Sequence, residues 1–150
     1  MAEDLGTGRD NVQFRFRDDA MADVPQVTVD AFLDQSDSAA VRIEPGDDAR
    51  DLLPHLDRIK LVEVNFPSFG DGRGYSAARV LREHGYTGEL RAVGDVLVDQ
   101  IAHMRRCGFD SFAPAAMLNE TDVATALERL PHVYQTAADP AVPIWSLRHG

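Results

Sequence analysis

The 150-residue chain has a single cysteine, Cys107, and a single lysine, Lys60. One thiol cannot close an internal disulfide, hold a four-cysteine iron–sulfur cluster or build a thiolate zinc site, so a reducing compartment is expected. Long apolar runs are missing too: no stretch approaches the roughly 18 apolar residues that a membrane-spanning helix needs. The opening residues, MAEDLGTGRDN, have neither a basic region nor an apolar run of the kind a secretory signal carries. The expectation is a cytoplasmic protein, neither exported nor membrane-spanning. Excess positive charge is the third absence. A net charge of −10 leaves no concentrated basic surface, which argues against a nucleic-acid role. The histidines, His55, His84, His103, His132 and His149, show no paired ligand spacing, so neither a metal nor a cofactor is expected.

What is present is ordinary globular composition, 44% hydrophobic and 27% charged, in a length that suits one domain. Charge is unevenly spread. Residues 1 to 57 carry 14 acidic and 5 basic groups, whereas Arg58 to Asp110 carry 8 basic against 7 acidic ones. That central stretch can host an anion which the whole-chain charge would repel. The organisation expected is an acidic N-terminal extension, residues 1–40, packed on a single α/β domain, residues 41–150.

Within the extension, Val12, Phe14 and Phe16 alternate with polar residues as in a half-buried strand. Val27 to Leu33 reads as a strand or as a short helix capped by Thr28, with the helix favoured. From residue 41 an apolar run, a polar loop and a helical stretch recur. The runs are Val41–Ile43, Leu61–Phe66, Leu90–Val93 and Phe109–Phe112. The first helix is expected to start at Asp47 or Asp48 and to bury Leu52, Leu53, Leu56 and Ile59, bent by Pro54. The second spans about Ser76 to His84 and is stopped by Gly85. The third is capped by Asp95, turns Leu97, Val98, Ile101 and Met104 inward and ends at Gly108; the fourth is capped by Asn119 or Thr121, turns Val123, Leu127 and Leu130 inward and has Pro131 beyond it. About four successive βα units imply a parallel sheet, half-barrel-like or open. The tail from Ala141 to Leu147 adds an edge strand or packs across one end. A homodimer is expected, because exposed sheet edges need cover from a second copy or from the N-terminal segment.

The stretch built most like a ligand loop is Phe69-Gly70-Asp71-Gly72-Arg73-Gly74-Tyr75-Ser76, between the second strand and its helix. Ligands of parallel α/β folds bind at that edge. Glycines let backbone amides approach a ligand, the helix N-terminus favours anions, and Arg73 supplies a forked cation. Gly72, Arg73, Gly74 and Ser76 are therefore the candidate anion-binding residues, with Arg91 from the third strand. The competing reading is a tight loop that needs glycine dihedrals, with Arg73 and Asp71 pairing locally. It is not a dinucleotide fingerprint, since Tyr75 stands where the third glycine belongs, and it has no P-loop lysine. Arg91 must have a partner if buried, and Asp95, Asp99 and Glu63 are the carboxylates within reach. Asp71 and Asp95 are the candidate catalytic acids, although Asp95 reads first as a helix cap. Cys107 sits at a helix C-terminus, where the dipole opposes a thiolate, and is expected to be a buried, inert thiol.

Taken together, DGRGYS, LRAVGDVL and MRRCGFD, within Phe69 to Phe112, resemble the bacterial domain-of-unknown-function family 934. The likeness extends more weakly to VRIEP upstream and VYQ downstream. Members of that family are labelled as oxidoreductases involved in sulfite reduction and are encoded beside assimilatory sulfite reductase. The resemblance implies an accessory protein of sulfite reduction, with sulfite reductase components as partners and a small oxyanion as ligand. The alternative is a small α/β enzyme, an oxidoreductase or transferase, acting on a sulfur- or phosphate-containing anion. With only Cys107 available, neither a sirohaem and iron–sulfur centre nor an exposed reductase thiol is expected.

Overall fold

The computed structural model describes residues 12–22, 24–34, 37–68, 70 and 72–129. Asp71, Leu130, Pro131 and the tail from Ala141 to Leu147 lie outside the described residues. Strands β1 (Phe14–Arg15), β2 (Val27–Thr28), β3 (Ala40–Ile43), β4 (Leu61–Phe66), β5 (Glu89–Gly94) and β6 (Ser111–Pro114) form one sheet in the order β1-β6-β5-β4-β3-β2. β2 to β6 are parallel, and β1 pairs antiparallel with β6. From β3 to β6, sequence neighbours are sheet neighbours. This is the winding of a barrel segment, without the reversal of strand order that marks a doubly wound sheet.

Right-handed crossovers in such an order put every connecting helix on one face. The contacts agree. The 3₁₀ helix Ala49–Arg58 follows β3, α2 (Arg73–Glu83) follows β4, α3 (Val98–Cys107) follows β5, and α4 (Glu120–Glu128) follows β6. Val41, Ile43, Val62, Val64, Phe66, Leu90, Ala92 and Phe112 share one core with Leu52, Ala78, Leu81, Ile101 and Met104 from these helices. The alternate strand positions point the other way and are of another chemistry. Arg42, Glu63, Arg91, Ser111 and Arg15 stand in one row across β3, β4, β5, β6 and β1.

Sequence chemistry sets the helix ends. Asp48 caps the 3₁₀ helix by accepting from the Arg50 amide at 3.0 Å. Pro54 lies inside that element and donates no backbone hydrogen bond, a reason for the tighter winding where an α-helix is expected. Gly85 and Gly108 take φ of +95° and +112° just beyond α2 and α3. The Asn119 side chain accepts from the Asp122 amide at 3.0 Å and starts α4. Asp95 does not cap α3; that position belongs to Leu97, whose amide donates to the Gln100 side chain at 3.2 Å. The Asp95 amide instead donates to the Phe66 carbonyl at 2.7 Å, which ties the loop to the end of β4 and delays the helix.

The N-terminal segment contributes more than cover. Its β1 and β2 form the two edges of the sheet, and Val27–Thr28 is a strand that runs directly into the short helix α1 (Val29–Asp34). The Thr28 hydroxyl caps α1 by accepting from the Ala31 amide at 3.1 Å. Both readings of that stretch are therefore realised. No helix among the described residues is long and apolar enough to cross a membrane.

Candidate functional site

The C-terminal ends of β3, β4 and β5 and the first turn of α2 form one corner. Glu44 follows β3, Asn65 stands near the end of β4, and the Asn65 amide donates to a Glu44 carboxylate oxygen at 2.7 Å. Asp47 turns back and accepts from the Glu44 amide at 2.8 Å. Arg73 and Gly74 close the corner from α2. The cleft between them is about 10 Å³, room for about one water, so an oxyanion cannot enter its floor. It would have to rest above, against the loop itself.

The three loop glycines are not equivalent. Gly72 has a φ of −82°, so the N-cap of α2 does not depend on a left-handed glycine. A Cβ on Gly74 would lie 2.5 Å from the Phe66 ring; this glycine lets α2 pack directly on β4. Gly70 and Gly72 meet nothing within 4 Å and face open space. Gly72 is the N-cap of α2 and, as glycine, has no side chain with which to cap it. The first-turn amides carry the partial positive charge of a helix start, and that of Tyr75 donates to the Gly72 carbonyl at 3.2 Å. Arg73 and Ser76 are exposed in the same turn.

Other expected residues lie elsewhere. Arg91 is fully buried and belongs to the charged row: it donates to Glu63 at 3.2 Å, to Glu89 at 3.1 Å and to the Ser111 hydroxyl at 3.3 Å. Of its expected partners only Glu63 is found. Glu89 also accepts from Arg15 at 3.0 and 3.1 Å and from the Ser111 hydroxyl at 2.6 Å. Burial would raise its pKa, but Arg91, Arg15 and Ser111 together outweigh burial and hold the carboxyl below its ordinary value. Arg91 is thus spent within the sheet, and the structure does not bring it to the α2 loop. Asp95 is half-buried on the neighbouring loop.

Two features went unread in the sequence. Gly94, with φ +95°, brings β5 so close to β4 that a Cβ there would lie 2.4 Å from the Phe66 carbonyl oxygen. The signal was a glycine at the end of an apolar run. The other is the i, i+4 pair His103 and Cys107 on α3, whose Nε2 and Sγ are 3.7 Å apart.

A larger cleft, about 470 Å³, lies at the opposite end of the strands, beside Arg17, Met21, Leu56, Lys60 and Glu89. Its buried charge is already paired: Arg17 bonds Asp19 and Asp110, and Glu89 bonds Arg15 and Arg91. Among the described residues no group of three or more His, Cys, Asp or Glu side chains is arranged to hold a metal ion.

Neither the curated proteins nor the solved structures contain a significant match to this chain. The model of one family does match, over residues 40–145, and covers the sheet from β3 onward together with the α2 loop. The chain belongs to this family, described as bacterial protein of unknown function (DUF934).

Proposed function

We propose that the protein is a cytoplasmic accessory component of assimilatory sulfite reduction that binds a small oxyanion at the loop from Gly70 to Ser76. The observation that carries the anion reading is the glycine N-cap of α2, with Gly70 and Gly72 opening onto free space beside the exposed Arg73. Backbone donors and a guanidinium fork suit a tetrahedral or pyramidal oxyanion. Glu44 and Asp47 lie below, and their hydrogen bonds to Asn65 and to the Glu44 amide hold them in the floor of the corner. The sulfur context rests on the resemblance of DGRGYS, LRAVGDVL and MRRCGFD. Sulfite reductase components are the partners in this reading, and a second copy of the chain is included in it, since both sheet edges end in strands of two residues.

Binding without turnover is preferred to catalysis for a physical reason. Within the corner, no described nucleophile is set beside a base, and the carboxylates that line it are bonded to an amide side chain and to backbone. Affinity purification of the tagged protein from cells growing on sulfate tests the proposal. Stoichiometric recovery of sulfite reductase components is expected, with no sulfite consumption by the isolated protein and a reduced electron donor. Sulfite turnover by the isolated protein would replace this reading with the enzyme.

A further inference from the structure

The cleft at the N-terminal ends of the strands, about 470 Å³, is within the roughly 300 to 1,000 Å³ of small-molecule sites. It shares no residue with the α2 loop at the other end of the sheet. Guanidiniums and backbone hold its walls from behind. Arg15 donates to the Arg17 and Asp19 carbonyls at 3.1 and 2.7 Å, which fixes the chain leading to Ala20. Arg82 donates to the Gly88 carbonyl at 2.9 Å, and the Glu89 amide donates to the Lys60 carbonyl at 3.1 Å, so the starts of β4 and β5 are tied together. These walls are formed before any ligand arrives, and their ordering does not oppose binding.

The lining has two chemistries. Met21, Val24, Leu56 and Ile59 give it an apolar wall. Five charged side chains complete it, and three of them are spent: Arg17 bonds Asp19 at 2.7 Å and Asp110 at 3.0 Å, and Glu89 bonds Arg15 and Arg91. That leaves Asp57 and Lys60, where the 3₁₀ helix hands over to β4. Both are exposed, and neither has a hydrogen-bond or ion-pair partner among the described residues. One unneutralised charge of each sign beside an apolar wall is complementary to a zwitterion with an apolar side chain. A simple organic anion would face Asp57 and a net charge of −10, and an organic amine would face Lys60. We propose that this cleft binds a free amino acid with a large apolar side chain. Lys60 takes the α-carboxylate, Asp57 takes the α-ammonium, and the ligand side chain lies against Met21, Val24, Leu56 and Ile59. Apolar contact supplies most of the affinity, because exposed ion pairs contribute little, and the two charges fix orientation.

Titration calorimetry of the whole protein with L-leucine, L-methionine and L-phenylalanine tests the proposal. Saturable binding of at least one of them, at one per chain, is expected. Lys60→Gln and Asp57→Asn change exposed, unpaired side chains and should stay folded by circular dichroism, yet each should weaken that binding by about fivefold. L-phenylalaninamide lacks the carboxylate, so its weaker binding should be the same in wild type and Lys60→Gln, an outcome that a merely structural lysine would not give. Arg73→Ala should bind the amino acid as wild type does, which keeps this site separate from the α2 loop. No heat from wild type with any of the three amino acids, or an affinity unchanged in either Lys60→Gln or Asp57→Asn, would overturn the proposal.

Discussion

Glu63 and Arg91 stand directly opposite each other on β4 and β5, both wholly buried, with a guanidinium nitrogen 3.2 Å from a carboxylate oxygen. They are the middle of a row in which Arg42 bonds the other Glu63 oxygen at 2.8 Å and Glu89 joins Arg91 to Arg15. A sheet with helices on one face has put its charge on the other. Desolvation makes each member costly alone, so the row is stable only as a whole.

Removing the central cation should therefore cost more than a typical substitution. Arg91→Met leaves Glu63 and Glu89 with fewer counter-charges in a buried site, and a loss of about 3 to 5 kcal/mol is expected. Urea unfolding followed by circular dichroism measures it. A loss below about 1 kcal/mol would mean that the carboxylates reach water easily.

The same row sets an acid limit. The folded-state pKa of Glu89 lies below its unfolded value, so the unfolded chain binds more protons in mild acid. Its contribution is fully present above the unfolded carboxylate pKa, about 4.3, and is lost as pH falls through the lower folded value. Urea midpoints should hold from neutrality to about pH 5 and then drop. Glu89→Gln abolishes this titration and should flatten the drop, leaving the smaller one from Asp19, whose carboxyl Arg17 and Arg15 hold low despite burial. An unchanged acid slope in Glu89→Gln would refute the assignment.

Three glycine substitutions separate packing from openness. Gly94→Ala places a methyl against the Phe66 carbonyl at positive φ, and Gly74→Ala drives one into the Phe66 ring; each should cost about 1 to 3 kcal/mol. Gly72→Ala meets no atom at a φ of −82° and should be neutral or stabilising by up to about 1 kcal/mol. Thermal unfolding of the three variants ranks them. Destabilisation by Gly72→Ala equal to that of Gly74→Ala would show that the loop is packed and not open.

How far the sequence carries can be followed residue by residue. Leu61–Phe66 was legible to the residue because Leu61, Val62, Val64 and Phe66 are apolar between polar flanks, with Val62, Val64 and Phe66 alternating with Glu63 and Asn65 as in a strand covered by helices on one face. The last strand was placed two residues early. Phe109 and Asp110 precede the ladder, because the Asp110 carboxylate is taken by the Leu90 amide, Arg17 and Arg82. Local reasoning cannot see such partners, which come from 20, 93 and 28 residues away. Arg91 announced that it needed a carboxylate, and Glu63 was within the expected set; Glu89, two residues earlier on the same strand, was not in that set, and Arg15 depends on the register of β1, which no periodicity reveals. The loop glycines were legible as a group but not singly: whether each serves packing or openness depends on Phe66, which the fold brings beneath Gly74.

The central claim is that the start of α2 holds an oxyanion through its backbone amides and Arg73. Titration calorimetry of sulfite, sulfate and phosphate into wild type and Arg73→Ala tests it most directly. The account predicts binding to wild type that weakens with added salt, and loss of most of that binding in an Arg73→Ala protein that remains folded. Equal heats from the two proteins, or no heat from either, would contradict it.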